Sequence, residues 1–154
     1  MKKSVILTLI ITFICALAAN AQSADKVTEM IKTDKATWGQ VCYFTSTYLG
    51  LVSENATADE SIQALTKAGI IKSTPKADAP IPLNQIAYIY AKTWKIGGSL
   101  LLKLFPSPRY ALKQLKADGL IPSSADPAKI YTGHQALDLF TSCMSKYGTE
   151  GAKK

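Results

Sequence analysis

Past residue 35 the apolar positions of this chain fall at helical spacing. Ile62 and Leu65, and later Leu112 and Leu115, mark the inward stripe of two short helices. Ile86, Ile89, Tyr90 and Thr93 mark a longer one, and Ala136, Leu139, Phe140 and Cys143 repeat it. Val41, Phe44, Thr45 and Tyr48 form a third copy of that longer stripe. Each stripe has a start signal. Thr37 with Gln40, Thr57 with Glu60, and Thr132 with Gln135 have the three-residue spacing of a capping box, in which each side chain satisfies the other's free backbone N–H. Ser107 precedes Pro108, the residue best suited to the first helical position. Pro82 stands at the corresponding place with Gln85 three residues on. Gly69 and Gly119 sit where a left-handed residue ends a helix, and Ile70-Ile71 and Leu120-Ile121 continue as short extended segments.

These signals recur at a fixed interval. A shift of about 50 positions lays Leu65-Thr66-Lys67-Ala68-Gly69-Ile70-Ile71 over Leu115-Lys116-Ala117-Asp118-Gly119-Leu120-Ile121, and also aligns Gln85 with Gln135 and Tyr90 with Phe140. The pattern predicts an all-α fold, a small bundle of helix-loop-helix repeats joined by short extended linkers. Two units are full and one is degenerate, because the first helix of the earliest unit, within Ser23 to Lys35, carries little apolar periodicity. The expected repeat domain covers 36–148, preceded by a linker or short helix over 22–35 and followed by a flexible tail over 149–154.

The first 21 residues follow a different rule. Lys2 and Lys3 precede the apolar run Val5 to Leu17, and Ala19-Asn20-Ala21 offers a small-x-small cleavage site. That is the pattern of a bacterial secretory signal, and the run is shorter than the ~20 residues that a spanning helix requires. Its removal leaves about 133 residues, the size of one domain, with no segment long enough to span a bilayer. The formal charge falls from +7 to +5 as Lys2 and Lys3 leave. The expected location is the periplasm or cell surface of a bacterium. Cys15 leaves with the signal, so Cys42 and Cys143 are the pair that an oxidising compartment can join; the alternative is two buried free thiols. A bridge would tie the first and last copies of the same helix.

The repeat resembles the S-layer homology domain. The residues that carry the resemblance are Ala64 to Ile71 with Ile81-Pro82-Leu83-Asn84-Gln85-Ile86-Ala87, and Leu115 to Ile121 with Tyr131-Thr132-Gly133-His134-Gln135-Ala136-Leu137. The resemblance implies a three-unit helical bundle that attaches exported proteins to cell-wall polysaccharide. Its hallmark segment, Ile-Thr-Arg-Ala-Glu, contributes an Arg to glycan binding. Here Trp38, Leu83 and Gly133 occupy the Arg position, and Gln40, Gln85 and Gln135 replace the Glu.

Charge then selects a region. No acidic residue occurs between Asp78 and Asp118, yet Lys92, Lys95, Lys103, Arg109, Lys113 and Lys116 all do. Tyr88, Tyr90, Trp94, Phe105 and Tyr110 interleave with them, a combination suited to stacking on sugar rings while a cation holds an anionic substituent. Tyr88, Lys92, Trp94, Lys95, Arg109 and Lys113 are the candidate ligand-binding residues. Nucleophile elbows, phosphate loops and zinc-helix motifs are missing from the sequence, and His134 is the sole histidine. No catalytic residue, metal or cofactor is therefore assigned, and no nucleic-acid motif is found. The expected function is a non-catalytic envelope module that binds a wall or surface polysaccharide. The alternative is a structural subunit bound to an acidic envelope protein, with Ser99 to Phe105 docking on the partner.

Overall fold

The computed structural model describes residues 24–97 and 100–151, so the export segment expected at 1–21 lies outside the described residues. The fold is all-α. Helix α1 covers 24–32, followed by α2 (Trp38–Tyr48), α3 (Ala58–Lys67), α4 (Leu83–Thr93), α5 (Leu100–Leu104), α6 (Pro108–Ala117) and α7 (Gly133–Gly151). Two isolated bridges, Thr37 to Pro80 and Pro82 to Ile130, are the extended linkers. No described helix is long and apolar enough to cross a membrane.

Local signals set the helix ends. Thr37 and Thr57 form reciprocal capping boxes with Gln40 and Glu60. Thr132 does the same with Gln135, accepting at 3.2 Å and donating its own N–H at 3.1 Å. Burial-free hydrogen bonding to Thr57 holds the Glu60 carboxyl below its usual range, as expected of a capping carboxylate. Helices α3 and α6 end in Gly69 (φ 70°) and Gly119 (φ 76°). In both, the following N–H reaches back five residues, Ile70 to Leu65 and Leu120 to Leu115, each at 2.9 Å.

Helix α4 lacks a side-chain cap because Pro82 stands at the cap position. Its first N–H groups instead donate across the fold, Leu83 to Lys129 O at 2.9 Å and Asn84 to Pro127 O at 3.0 Å. The start of α2 does the equivalent, Trp38 to Ala79 O and Gly39 to Ala77 O, and Gly133 of α7 donates to Thr33 O at 2.8 Å. Each second helix thus begins on the loop of the next unit, and the third returns to the first. Further bonds join equivalent residues near the axis, Ile81 N to Ala36 O and Ala36 N to Tyr131 O. Packing crosses units in the same sense, with α3 lying along α2 and α6 along α4.

Of the two forms expected over 22–35, a linker or a short helix, the chain takes the helix. The region over 22–35 contains a formed helix that closes the ring: Met30 is fully buried, and its carbonyl presses so tightly on Gly133 that an added Cβ would stand 1.8 Å from the oxygen. The earliest unit therefore has a first helix, and Met30 is the one residue of it that is buried. At the other end α7 continues through Gly151, past the tail boundary expected at 149.

The core is centred on α4, where Leu83, Ile86, Ala87, Ile89 and Tyr90 are all at 0% exposure. At ~1.5–3 kcal/mol for each fully buried large side chain, this helix is the main apolar contributor. Tyr90 donates its hydroxyl to Ala136 O in α7 at 3.1 Å, which satisfies the polar group that burial would otherwise strand.

The expected pairing of Cys42 with Cys143 is not formed, and both are buried free thiols. The two lie on copies of the same helix but at different levels. Cys42 aligns with Ala87 and Leu137, whereas Cys143 aligns with Thr93 and Tyr48, an offset of six residues or ~9 Å along a helix axis. A disulfide requires Cα atoms within roughly 7 Å. Burial pushes both thiols up to about 12.

Candidate functional site

The six candidate binding residues divide among three places. Tyr88, Lys92 and Lys95 come together along α4, in a groove of about 340 Å³ completed by Ile96, Gly97, Leu102, Lys103 and Pro106. Tyr88 and Lys92 share a face because they are four residues apart on α4, and Lys95, past the helix end, lines the same groove. Lys92 Nζ lies 5.8 Å from the centre of the Tyr88 ring. Burial raises the Tyr88 hydroxyl above its ordinary range, so the ring is neutral in neutral solution. The stem of Lys103 passes over Gly97, where an added Cβ would meet its Cε at 3.0 Å.

Lys95 itself has an unusual backbone. Its φ is 49°, and it is the sole non-glycine with positive φ among the described residues. Lys95 N donates to Lys92 O, and Ile96 N reaches back to Ala91 O at 2.9 Å, the same terminal turn that ends α2 at Gly50 (φ 67°). A left-handed lysine costs roughly 1 kcal/mol relative to glycine there.

Arg109 and Lys113 occupy a second groove of about 360 Å³, with Asn84, Leu112, Lys116 and Pro127. Arg109, Lys113 and Lys116 repeat at four and three residues along α6, while Leu112 and Leu115 turn inward. Lys116 Nζ is committed to Ser123 O at 2.9 Å and Ala125 O at 2.7 Å, so it fastens the loop after α6. Asn84 Oδ1 is buried there with no hydrogen-bond partner.

Trp94 joins neither groove. Its ring packs 5.2 Å from Phe140, 5.3 Å from Tyr48 and 5.6 Å from Tyr90, and its Nε1 donates to Tyr48 Oη at 3.1 Å. It therefore helps close one end of the bundle, where α2, α4 and α7 meet. The helix turn that carries Lys95 outward leaves Trp94 directed between helices.

A cavity of about 420 Å³ between the first two units has no counterpart in the sequence reading. Lys26, Glu29, Gln40, Tyr43 and Asp78 are among its lining. Gln40 donates to Thr33 Oγ1 at 2.8 Å, and Tyr43 to Glu54 O at 2.8 Å, so these two polar groups of its wall are already engaged. Its signal is spread over four separate segments, one of them the weakly periodic α1.

His134 pairs with Asp138 at 2.9 Å on the exposed first turns of α7. Among the described residues no group of three or more His, Cys, Asp or Glu side chains is placed to hold a metal ion. The positions that align with the hallmark Arg are used for packing: Leu83 is fully buried, Gly133 meets α1, and Trp38 lines a smaller groove with Gln85, Tyr88 and Pro106. No family model, curated protein or solved structure matches the chain.

Proposed function

We propose that this is an exported, non-catalytic module of a bacterial cell envelope that binds an acidic wall or surface polysaccharide. The grooves along α4 and α6 would form the contact. The observation that carries this reading is the α4 groove: Lys92, Lys95 and Lys103 supply cations, no carboxylate lines it, and Tyr88, only 5% exposed, forms its floor. Cations grouped without a carboxylate among them meet the acidic substituents of a polysaccharide. The left-handed Lys95 adds support, since a charged side chain is kept where glycine would be more stable. The resemblance of the repeat sequence to S-layer homology units supports a wall-binding role, with the positive charge supplied from α4 and α6 rather than from the hallmark position. The reading is tested by sedimenting the purified protein with isolated bacterial wall polymer in rising salt. Co-sedimentation that weakens with salt is expected; failure to sediment at every salt concentration contradicts it.

A further inference from the structure

Helix α5 has no counterpart in the first unit and lies between α4 and α6. Leu102 points inward and is 6% exposed, while Leu100, Leu104 and Phe105 are 70%, 60% and 64% exposed. Leu100 and Leu104 are one helical turn apart on the outer face, and Phe105 follows at the helix end. Three large apolar side chains this exposed and this close in sequence form a projecting patch rather than scattered surface residues. Cations flank it. Lys103 rises from the same helix, Lys95 and Lys92 line the groove that α5 roofs, and Arg109 opens α6, all inside the stretch from 79 to 117 without a carboxylate.

We infer that α5 is a membrane-surface contact: Leu100, Leu104 and Phe105 enter the headgroup–acyl boundary of an anionic bilayer while Lys95, Lys103 and Arg109 meet its phosphates. Apolar side chains ringed by basic ones match the depth profile of such an interface, greasy below and negatively charged above. A second copy of the chain is a poor occupant, since apposing two such patches would bring the same cations face to face. A protein partner is also disfavoured by size. One short helix offers far less than the ~800 Å² per partner of a stable protein interface, whereas a bilayer requires no minimum area. This contact shares Lys95 and Lys103 with the polymer groove, but Leu100, Leu104 and Phe105 lie outside that groove's lining, and neither reading depends on the other.

The test uses the chain purified from its host, its N-terminus fixed by mass spectrometry, so that every comparison shares one N-terminal form. The first arm is sedimentation with phosphatidylcholine vesicles and with vesicles containing phosphatidylglycerol, for the parent and for Leu100→Ser/Leu104→Ser/Phe105→Ser. Binding only to the anionic vesicles, weakened about tenfold or more in the triple variant and reduced by salt, is expected. The second arm is Phe105→Trp in the otherwise unaltered chain. Its added tryptophan emission should shift to the blue on anionic vesicles and be quenched by lipids brominated on their acyl chains. Equal binding by parent and triple variant, no binding by the parent, or a tryptophan at 105 that stays in water each overturns the proposal. So does a parent dimer in solution that the triple variant converts to monomer without any binding to vesicles. Retained sedimentation with wall polymer by the triple variant distinguishes failure here from failure of the polymer reading.

Discussion

Lys95 holds a left-handed backbone at the position where the aligned residue of α2 is Gly50. Lys95→Gly should raise stability by about 1 kcal/mol, read as a shifted urea midpoint, while weakening attachment to acidic polymer. A fall in stability would show that the side chain contributes packing that outweighs the backbone strain. The buried thiols make a second residue-scale prediction. The folded protein keeps Cys42 and Cys143 neutral up to about pH 12, whereas an unfolded chain releases these protons near pH 8.5. Their contribution is therefore undiminished below about pH 8.5 and declines as pH rises toward 12, by about 1.4 kcal/mol per pH unit for each thiol. Urea midpoints at pH 8 and pH 10 should diverge in the parent and diverge less in Cys42→Ala/Cys143→Ala. In denaturant without reductant, both thiols should take up an alkylating agent; a mass that shows neither modified would mean a disulfide.

At the scale of elements, the parts legible in the sequence were those governed by neighbours in the chain. The capping boxes at Thr37, Thr57 and Thr132, the Ser107-Pro108 start and the glycine ends at Gly69 and Gly119 all appear as read, because three to five residues suffice to define each. Helix α1 was harder to read because it contributes chiefly Met30 to the core, and one residue makes no periodicity. Its role is visible only in three dimensions, through the carbonyl of Met30 against Gly133. That contact predicts a sharp contrast between two glycines of the same helix. Gly133→Ala should cost about 3 kcal/mol or more, since the new methyl has nowhere to go. Gly148→Ala, where an added Cβ finds ordinary contacts at 3.5 Å to Tyr48 Oη and 3.6 Å to Met144, should be neutral or stabilising by up to about 1 kcal/mol. Paired thermal melts would check both, and equal effects would contradict the ring closure.

Across the whole molecule, the repeat closes on itself: each second helix starts on the next unit's loop, and α7 starts on the first. That cyclic order explains why a linear reading located the basic stretch but not its division. Along the chain Trp94 and Lys95 are neighbours; in the fold one seals the bundle end and the other lines a groove, because α4 ends between them. The pairing of the cysteines misled for a related reason, since copies of one helix are not copies of one level. The central claim concerns the α4 groove, and charge alone must be separated from site. Lys92→Gln/Lys95→Gln and Lys32→Gln/Lys35→Gln remove the same charge, the second pair from exposed positions in and just after α1. Affinity electrophoresis of parent and both variants through gels containing alginate or neutral dextran, at increasing salt, gives the most direct test. The groove reading predicts retardation by alginate alone, lost in the Lys92/Lys95 variant and largely kept in the Lys32/Lys35 variant. Equal loss in both variants, or no retardation of the parent at low salt, would contradict it.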